Sequence, residues 1–393
     1  MVMKKVFWII LCMFFILPVI FAENMKLHYE RPAEYFEEAL VIGNGTMGAT
    51  LYGGVKKDKI SFNDITLWTG EPESENSSPD AFNAIPEIRA LLDNEDYQGA
   101  DKAQYKVQGH YSENYQPLGT LTIEYLDDTV GISDYHRWLD IGNATARTQY
   151  LKGGKLFTSD YFASAPDSVI VIRLKSENKE GIHALLSFDS PLPHSSQVAD
   201  NEISVEGYAA YHSFPVYYKA EDKHRYDPER GIHFKTLVRV LSVDGRVKNR
   251  YSDSRIEIDG STEVLIWVAN VTSFNGFDKD PVKEGRNYRS HVEKRMKCAI
   301  GKTYDALREA HIRDYKYYFD RVKLDLGDTM VHYDGNIQPH MHFMCNCCQT
   351  IYDLDNNDKK IIKQFEKTYK HHIDVIDINM SGICEKCLEK KAA

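Results

Sequence analysis

The chain has 393 residues, and 48 Lys and Arg against 58 Asp and Glu leave a formal charge of −10. That balance argues against a general nucleic-acid binder, because phosphate contacts need clustered excess cation. A content of 42% hydrophobic and 27% charged residues excludes a disordered chain, and the length calls for two or three domains, since single cores stop growing at roughly 250 to 300 residues.

Residues 1–22 begin with Lys4 and Lys5, continue in an apolar run from Val6 to Phe21 and end in Ala22 before polar Glu23 and Asn24. This is the layout of a cleaved export signal. The alternative is a transmembrane anchor, but the run falls short of the roughly 20 residues that span a bilayer. The expectation is therefore an exported, periplasmic or extracellular protein with no stable membrane anchor.

From Lys26 onward short β-rich runs alternate with Gly, Asn, Asp and Pro clusters, as in 120–125, 168–174, 182–188, 235–242 and 264–271. Such spacing predicts an antiparallel sandwich or barrel over residues 25–290. One helical excursion is expected over 84–106, where Ile85, Ile88, Leu91 and Leu92 recur at helical spacing and Pro86 suits a first turn. The glycines from Gly43 to Gly54 lack a dinucleotide-binding spacing and are expected to serve turns and close strand packing. Asp and Glu are plentiful and are each expected at the solvated surface.

Three stretches are more specific: Glu37 to Gly54 with its Gly43-Asn44-Gly45 core, Ile60 to Pro72 with Leu67-Trp68-Thr69-Gly70, and Tyr115-Gln116-Pro117-Leu118-Gly119. Together with Arg137-Trp138-Leu139-Asp140 and Phe162 to Leu174 they resemble the N-terminal domain and linker of glycoside hydrolase family 95, the α-L-fucosidases and related α-L-galactosidases, over residues 28–327. The resemblance implies a β-super-sandwich, then a helical linker over 291–327, then an (α/α)6 barrel that carries the catalytic groups. Residues 304–326 fit that linker, with Leu307, His311, Tyr315, Tyr318, Phe319 and Val322 mostly three or four apart. The 66 residues after Gly327 are too few for six helical hairpins, so no catalytic residue of the family is assigned to this chain. Asn63, Thr66, Trp68, Tyr115 and Gln116 are candidates for carbohydrate contact, because an apolar sugar face stacks on an aromatic ring while amides and hydroxyls meet its OH groups. Core or sheet-edge packing of Trp68 and Tyr115 is the other possibility.

The vocabulary changes after Gly327. Cys345-x2-Cys348 and Cys384-x2-Cys387 are paired in the way that surrounds tetrahedral zinc with four thiolates, and Cys347 makes the local count odd. Disulfides are the alternative for an exported chain. Asp334, His340, His342 and Asp353 could form a second nitrogen and oxygen site for iron, manganese or zinc. A helix is predicted over 358–370 from Ile361, Ile362, Phe365 and Tyr369, followed by an alternating strand over 371–380.

Tyr333-Asp334-Gly335, His340 to Cys345 and Ser381 to Cys387 resemble the C-terminal dimerisation and metal-binding domain of the ferric uptake regulator (Fur) family, over residues 329–393. The resemblance implies structural zinc on Cys345, Cys348, Cys384 and Cys387, a homodimer, and a regulatory site that includes Asp334, His340, His342, Asp353 and an adjacent His372. The family's DNA-reading winged helix has no counterpart in this sequence, so operator binding is not expected. The combined fold expectation is mainly β: a large antiparallel β-super-sandwich, a linker helix and a small α/β zinc-binding domain. The functional expectation is an exported fucosidase-type β domain without its barrel, joined to a Fur-type domain and catalytically inactive as it stands. The alternatives are a module that binds fucosylated plant or host glycans, or a metal-binding dimerisation protein.

Overall fold

The computed structural model describes residues 25–72, 80–109, 111–127, 131–324, 332–333, 341–354, 358–370 and 378–392. The export signal read in residues 1–22 lies outside them. The chain divides into two compact units, Met1–Arg313 and Asp314–Ala393. No described helix is long and apolar enough to cross a membrane.

The first unit opens with β1 (Lys26–Tyr29), β2 (Leu40–Gly43), β3 (Met47–Leu51) and β4 (Lys57–Asp64), then helices α1 (Ala81–Asp93) and α2 (Tyr97–Ala103). It continues with β5 (Gly119–Tyr125), β6 (Ile132–Asp140), β7 (Thr145–Lys152), β8 (Lys155–Ser164), β9 (Val169–Ser176), β10 (Ile182–Asp189), β11 (His194–Ala199) and β12 (Glu202–Tyr208). A short ribbon, β13 (His212–Ser213) with β14 (His224–Arg225), precedes β15 (His233–Ser242), β16 (Arg246–Arg250), β17 (Arg255–Ser261) and β18 (Glu263–Thr272). Helix α3 (Tyr288–Ile300) and the start of α4 (Tyr304–Val322) follow.

One sheet has nine strands in the order β1-β6-β7-β8-β9-β18-β15-β12-β11, the other seven in the order β16-β17-β10-β5-β4-β3-β2. The expected β-sandwich is what forms, and its logic is visible strand by strand. Strand β18 is apolar without a break from Val264 to Ala269, which a strand can bear only if both faces are covered. Its Val264, Ile266 and Val268 enter the core between the sheets. Its Leu265, Trp267, Ala269 and Val271 pack on the outer face beneath Val292, Met296 and Ala299 of α3 and Leu307 of α4. Strand β9 divides the same way, with Ile170 and Ile172 inward and Val169 and Val171 under the helices. Burial of each such side chain contributes about 1.5 to 3 kcal/mol. Polar groups fix the helical cover as well: the Arg173 guanidinium lies 3.8 Å over the Tyr304 ring and donates to Asp160 at 2.9 Å.

The Gly43 to Gly54 stretch is the β2–β3 hairpin and its exit. Gly45 has φ +85, and the Asn44 side chain accepts from the backbone N–H of Thr46 and Met47. The helical excursion differs from expectation in two respects. It breaks at Asn94 to Asp96, where Glu95 takes φ 61 and the Asp96 carboxylate accepts from Gly99 N to start α2. Pro86 is the sixth residue of α1 and not in its first turn. A further difference concerns carboxylates. Asp58 is 1% exposed, held by Gly54 N at 2.9 Å and the Tyr161 hydroxyl at 2.8 Å, and burial raises its carboxyl from 3.8 to about 6.

The second unit contains a short pair, β19 (Lys323–Leu324) with β20 (His332–Tyr333), and a three-stranded sheet. In that sheet β21 (Met341–Cys345) pairs antiparallel with β22 (Ile351–Leu354) and parallel with β23 (Asn379–Gly382). Helix α5 (Asp358–Tyr369) matches the predicted amphipathic segment, and α6 (Glu385–Ala392) closes the chain. Most of the predicted strand over 371–380 lies outside the described residues; its end, Asn379 and Met380, belongs to β23.

Candidate functional site

The loop that leaves β4 is tied down from within. The buried Asp64 carboxylate accepts from Thr66 N at 2.9 Å, from the Thr66 hydroxyl at 2.7 Å and from the Asn270 amide at 2.8 Å, and Asn270 in turn accepts from the Thr236 hydroxyl. Thr66 is also bonded to Thr272 across 2.5 Å. Its hydroxyl is therefore spent on structure. The loop then pairs with the Tyr115 segment through a bridge between Trp68 and Tyr115, with Thr69 N donating to Asn114 O and Gln116 N to Leu67 O. Gly70 takes φ +102, and a Cβ there would stand 2.7 Å from Glu113 Cγ, so only glycine fits this approach.

This framework holds Trp68 and Tyr115 outward, 43% and 40% exposed, with ring centroids 5.4 Å apart in an edge arrangement. The Trp68 indole N–H donates to Ile65 O, which sets the ring's direction. Burial, then the Asp64 carboxylate, raise the Tyr115 phenol. Beside Trp68 opens a cavity of about 260 Å³ lined by Thr66, Trp68, Thr69, Glu71, Glu113 and Phe277 among others. Of the five sequence candidates, Thr66 and Trp68 line it and Tyr115 packs on Trp68. Asn63 is exposed on β4 opposite Gly48, and Gln116 is 7% exposed with its amide donating to Tyr115 O.

An adjoining cavity of about 500 Å³ shares Glu71 and Glu113 and is walled by Tyr111, His212, Phe214 and Tyr218. Here Glu113 accepts from Ser213 N at 3.2 Å and from the Thr69 hydroxyl, and lies 2.9 Å from His212 Nδ1. His212 Nε2 lies 2.9 Å from the Tyr111 hydroxyl, whose phenol is raised by burial and then by Glu113. Glu71 forms a fork with Arg230, which stacks 3.7 Å over Tyr211. His212, Glu113 and the 211–230 segment match no sequence motif and were not among the candidates read from the sequence. The density of aromatic and histidine residues from Tyr208 to Tyr218 was the available signal.

In the second unit, Cys345 ends β21, Cys348 lies in the turn before β22, Cys384 precedes α6 and Cys387 lies in its first turn. Their four Sγ atoms all lie within 4.8 Å of one another, and Cys345, Cys384 and Cys387 are buried. This cluster can hold a metal ion. Cys348 and Cys384 Sγ stand 3.8 Å apart, the edge of a tetrahedron of sulfurs about 2.3 Å from zinc, whereas a disulfide needs about 2.05 Å. Cys345 Sγ accepts from Cys384 N at 3.3 Å and Cys347 N at 3.4 Å. Backbone amides, Cys384's foremost and then Cys348's, lower its thiol to about 6, which suits a thiolate ligand. Of the proposed second metal site, His342 is buried with Nε2 3.8 Å from its cross-strand partner Asp353. Asp334, His340 and His372 lie outside the described residues.

A family model described as glycosyl hydrolase family 65, N-terminal domain, matches residues 27–276. The chain belongs to that family. The expectation from sequence was a glycoside hydrolase N-terminal sandwich of family 95, and the shared statement is a glycoside hydrolase N-terminal β-sandwich. The family 65 N-terminal domain chain is 29% identical over 319 residues to alpha-L-fucosidase 2 of Arabidopsis thaliana. It is 26% identical over 304 residues to probable alpha-fucosidase A of Aspergillus oryzae. These alignments cover 78% and 74% of this chain but 37% and 40% of those proteins, so the chain spans about two fifths of their length. A structure of the ferric uptake regulator from Francisella tularensis with iron matches 25% of this chain and 75% of that one, at 16% identity and TM-score 0.17.

Proposed function

We propose that the first unit is the glycan-facing β domain of a family 95-type α-L-fucosidase, and that this 393-residue chain binds fucosylated glycans without hydrolysing them. The observation that carries this is the outward Trp68 and Tyr115 pair beside a cavity with Glu71 and Glu113 in its wall. A pyranose can lay its apolar face on Trp68 while its hydroxyls meet the carboxylates. Both carboxylates are engaged, Glu71 by Arg230 and Glu113 by His212, Ser213 and Thr69. Glycoside inversion needs an acid and a water-activating base about 6.5 to 9.5 Å apart with freedom to exchange protons, so this wall is better suited to holding a sugar than to cleaving one. The relatedness to alpha-L-fucosidase 2 supports the choice of sugar. Export through residues 1–22 is part of the proposal.

The test is a thermal melt against fucosylated oligosaccharides. The glycan should raise the melting temperature, since a ligand selective for the folded state adds stability. Trp68→Ala should weaken binding about tenfold, or ~1.4 kcal/mol. An unchanged response in Trp68→Ala would remove Trp68 from the site. In parallel, the chain should release no fucose above background from an aryl α-L-fucoside, and measurable turnover would overturn the non-catalytic assignment.

For the second unit we propose a Fur-type module that holds zinc on Cys345, Cys348, Cys384 and Cys387 and dimerises. Support for zinc comes from the sulfur spacing and the amide-stabilised Cys345 thiol. Exposed Phe365 and Tyr369, with rings 5.5 Å apart on α5, offer an apolar surface to a second copy.

A further inference from the structure

We propose that His28, Glu30 and His136 form a second metal site, one for a divalent transition ion of zinc-like softness, on the edge of the nine-stranded sheet. These residues belong to the first unit and share nothing with the thiol cluster or the Trp68 cavity.

The sheet register creates the site. Strand β1 pairs antiparallel with β6, with His28 opposite Trp138. His136 is two residues from Trp138 and so projects from the same face as its diagonal neighbour. The β6–β7 register shifts between Ser133 and His136, and Asp134 within that shift takes φ 52. The bulge aims His136 back at His28.

The resulting distances suit an ion. His28 Nε2 and His136 Nδ1 stand 3.1 Å apart, with the rings stacked at 5.1 Å. Two imidazole nitrogens each about 2.05 Å from one ion, at octahedral to tetrahedral angles, stand roughly 2.9 to 3.4 Å apart. One ligand atom from each of His28, Glu30 and His136 lies within 4.8 Å of the others. The far nitrogen of His136, Nε2, lies 3.0 Å from Asp134 Oδ1. A proton held there leaves Nδ1 with its lone pair toward His28, which is the carboxylate–histidine–metal relay that fixes the tautomer of a ligating imidazole.

Charge and access agree with this geometry. His28 and Glu30 are exposed, and a cavity of about 510 Å³ lined by Lys26, His28, His136, Trp138 and Gln149 opens on the nitrogens. The Lys26 ammonium lies 5.6 Å from the Trp138 ring centroid, and the carboxylates of Glu30 and Asp134 outweigh its charge. Two nitrogens and one carboxylate leave coordination positions for water or a ligand, unlike a closed four-thiolate site.

Equilibrium dialysis of the full chain against excess zinc at neutral pH, followed by metal analysis, tests the assignment. The unaltered chain should retain one zinc equivalent more than His28→Ala and one more than His136→Ala. Cys384→Ser should leave that equivalent in place, which separates this site from the thiol cluster. Asp134→Asn, which keeps the shape and tolerates the positive φ, should weaken the site by about 10- to 100-fold. Glu30→Gln serves as a third ligand variant, and melts of the zinc-free proteins establish that each variant is folded. Equal zinc content in the unaltered chain and all three ligand variants would overturn the proposal and leave a histidine–histidine hydrogen bond in its place.

Discussion

Replacing Asp58 by asparagine should flatten the pH dependence of the first unit's stability between about pH 4 and 7. Burial raises the folded-state carboxyl from 3.8 to about 6, so the folded chain holds this proton more tightly than the unfolded chain. The stabilisation is fully present below about pH 3.8 and is lost as pH rises through about 6. Relative to Asp58→Asn, the unaltered protein should therefore lose roughly 2 to 3 kcal/mol between pH 4 and 7, which denaturant melts at several pH values would read. Asp58→Leu makes the opposite point. It strips the acceptor from both the Tyr161 hydroxyl and Gly54 N, and each buried donor left unpaired costs about 1 to 3 kcal/mol. Equal pH slopes in the unaltered and Asn forms would show that Asp58 does not titrate in this window.

Cys384→Ser should remove about one zinc per chain and unfold the second unit while the first unit's transition stays in place. The reason is the composition of the second unit's buried cluster, which among the described residues is Cys345, Cys384 and Cys387 with Phe343, Tyr352 and Ile383 packed around them. A cluster with three thiols at its centre gains most of its cohesion from an ion that the thiols hold, and this offsets the entropy of ordering the strands and helices around it. Structural zinc contributes on the order of 10 to 16 kcal/mol at neutral pH. A strong chelator should have the same effect as the substitution, read as loss of only the lower melting transition. A second unit that melts identically with and without chelator would exclude a structural ion.

Sequence patterning carried the fold a long way because burial writes itself into local order. The run from Val264 to Val271 was legible as a strand, and in the structure the sheet core and α3 cover its two faces. The two CxxC pairs were legible because each places its thiols within one turn, and only the meeting of the pairs remained to be supplied by folding. Trp68 and Tyr115 were singled out from a loop-like context, and the structure holds them outward through the Asp64 network. Asp58 shares the inward parity of Ile60 and Phe62 on β4, but its hydroxyl partner Tyr161 is distant by 103 positions, and the sequence reading took it for a surface carboxylate.

By itself, then, the sequence determined a large β-rich first domain, the change of vocabulary after Gly327 and the thiol quartet, while the choice of sandwich over barrel came from the family resemblance. The first three rest on neighbours in the chain or on period-two alternation. Only the tertiary structure decided the rest: the Glu113 and His212 contact across 99 positions, the His28 and His136 approach across 108, and the burial of Asp58. Such pairs follow from strand order and register, and those are set by how two sheets close over a shared core.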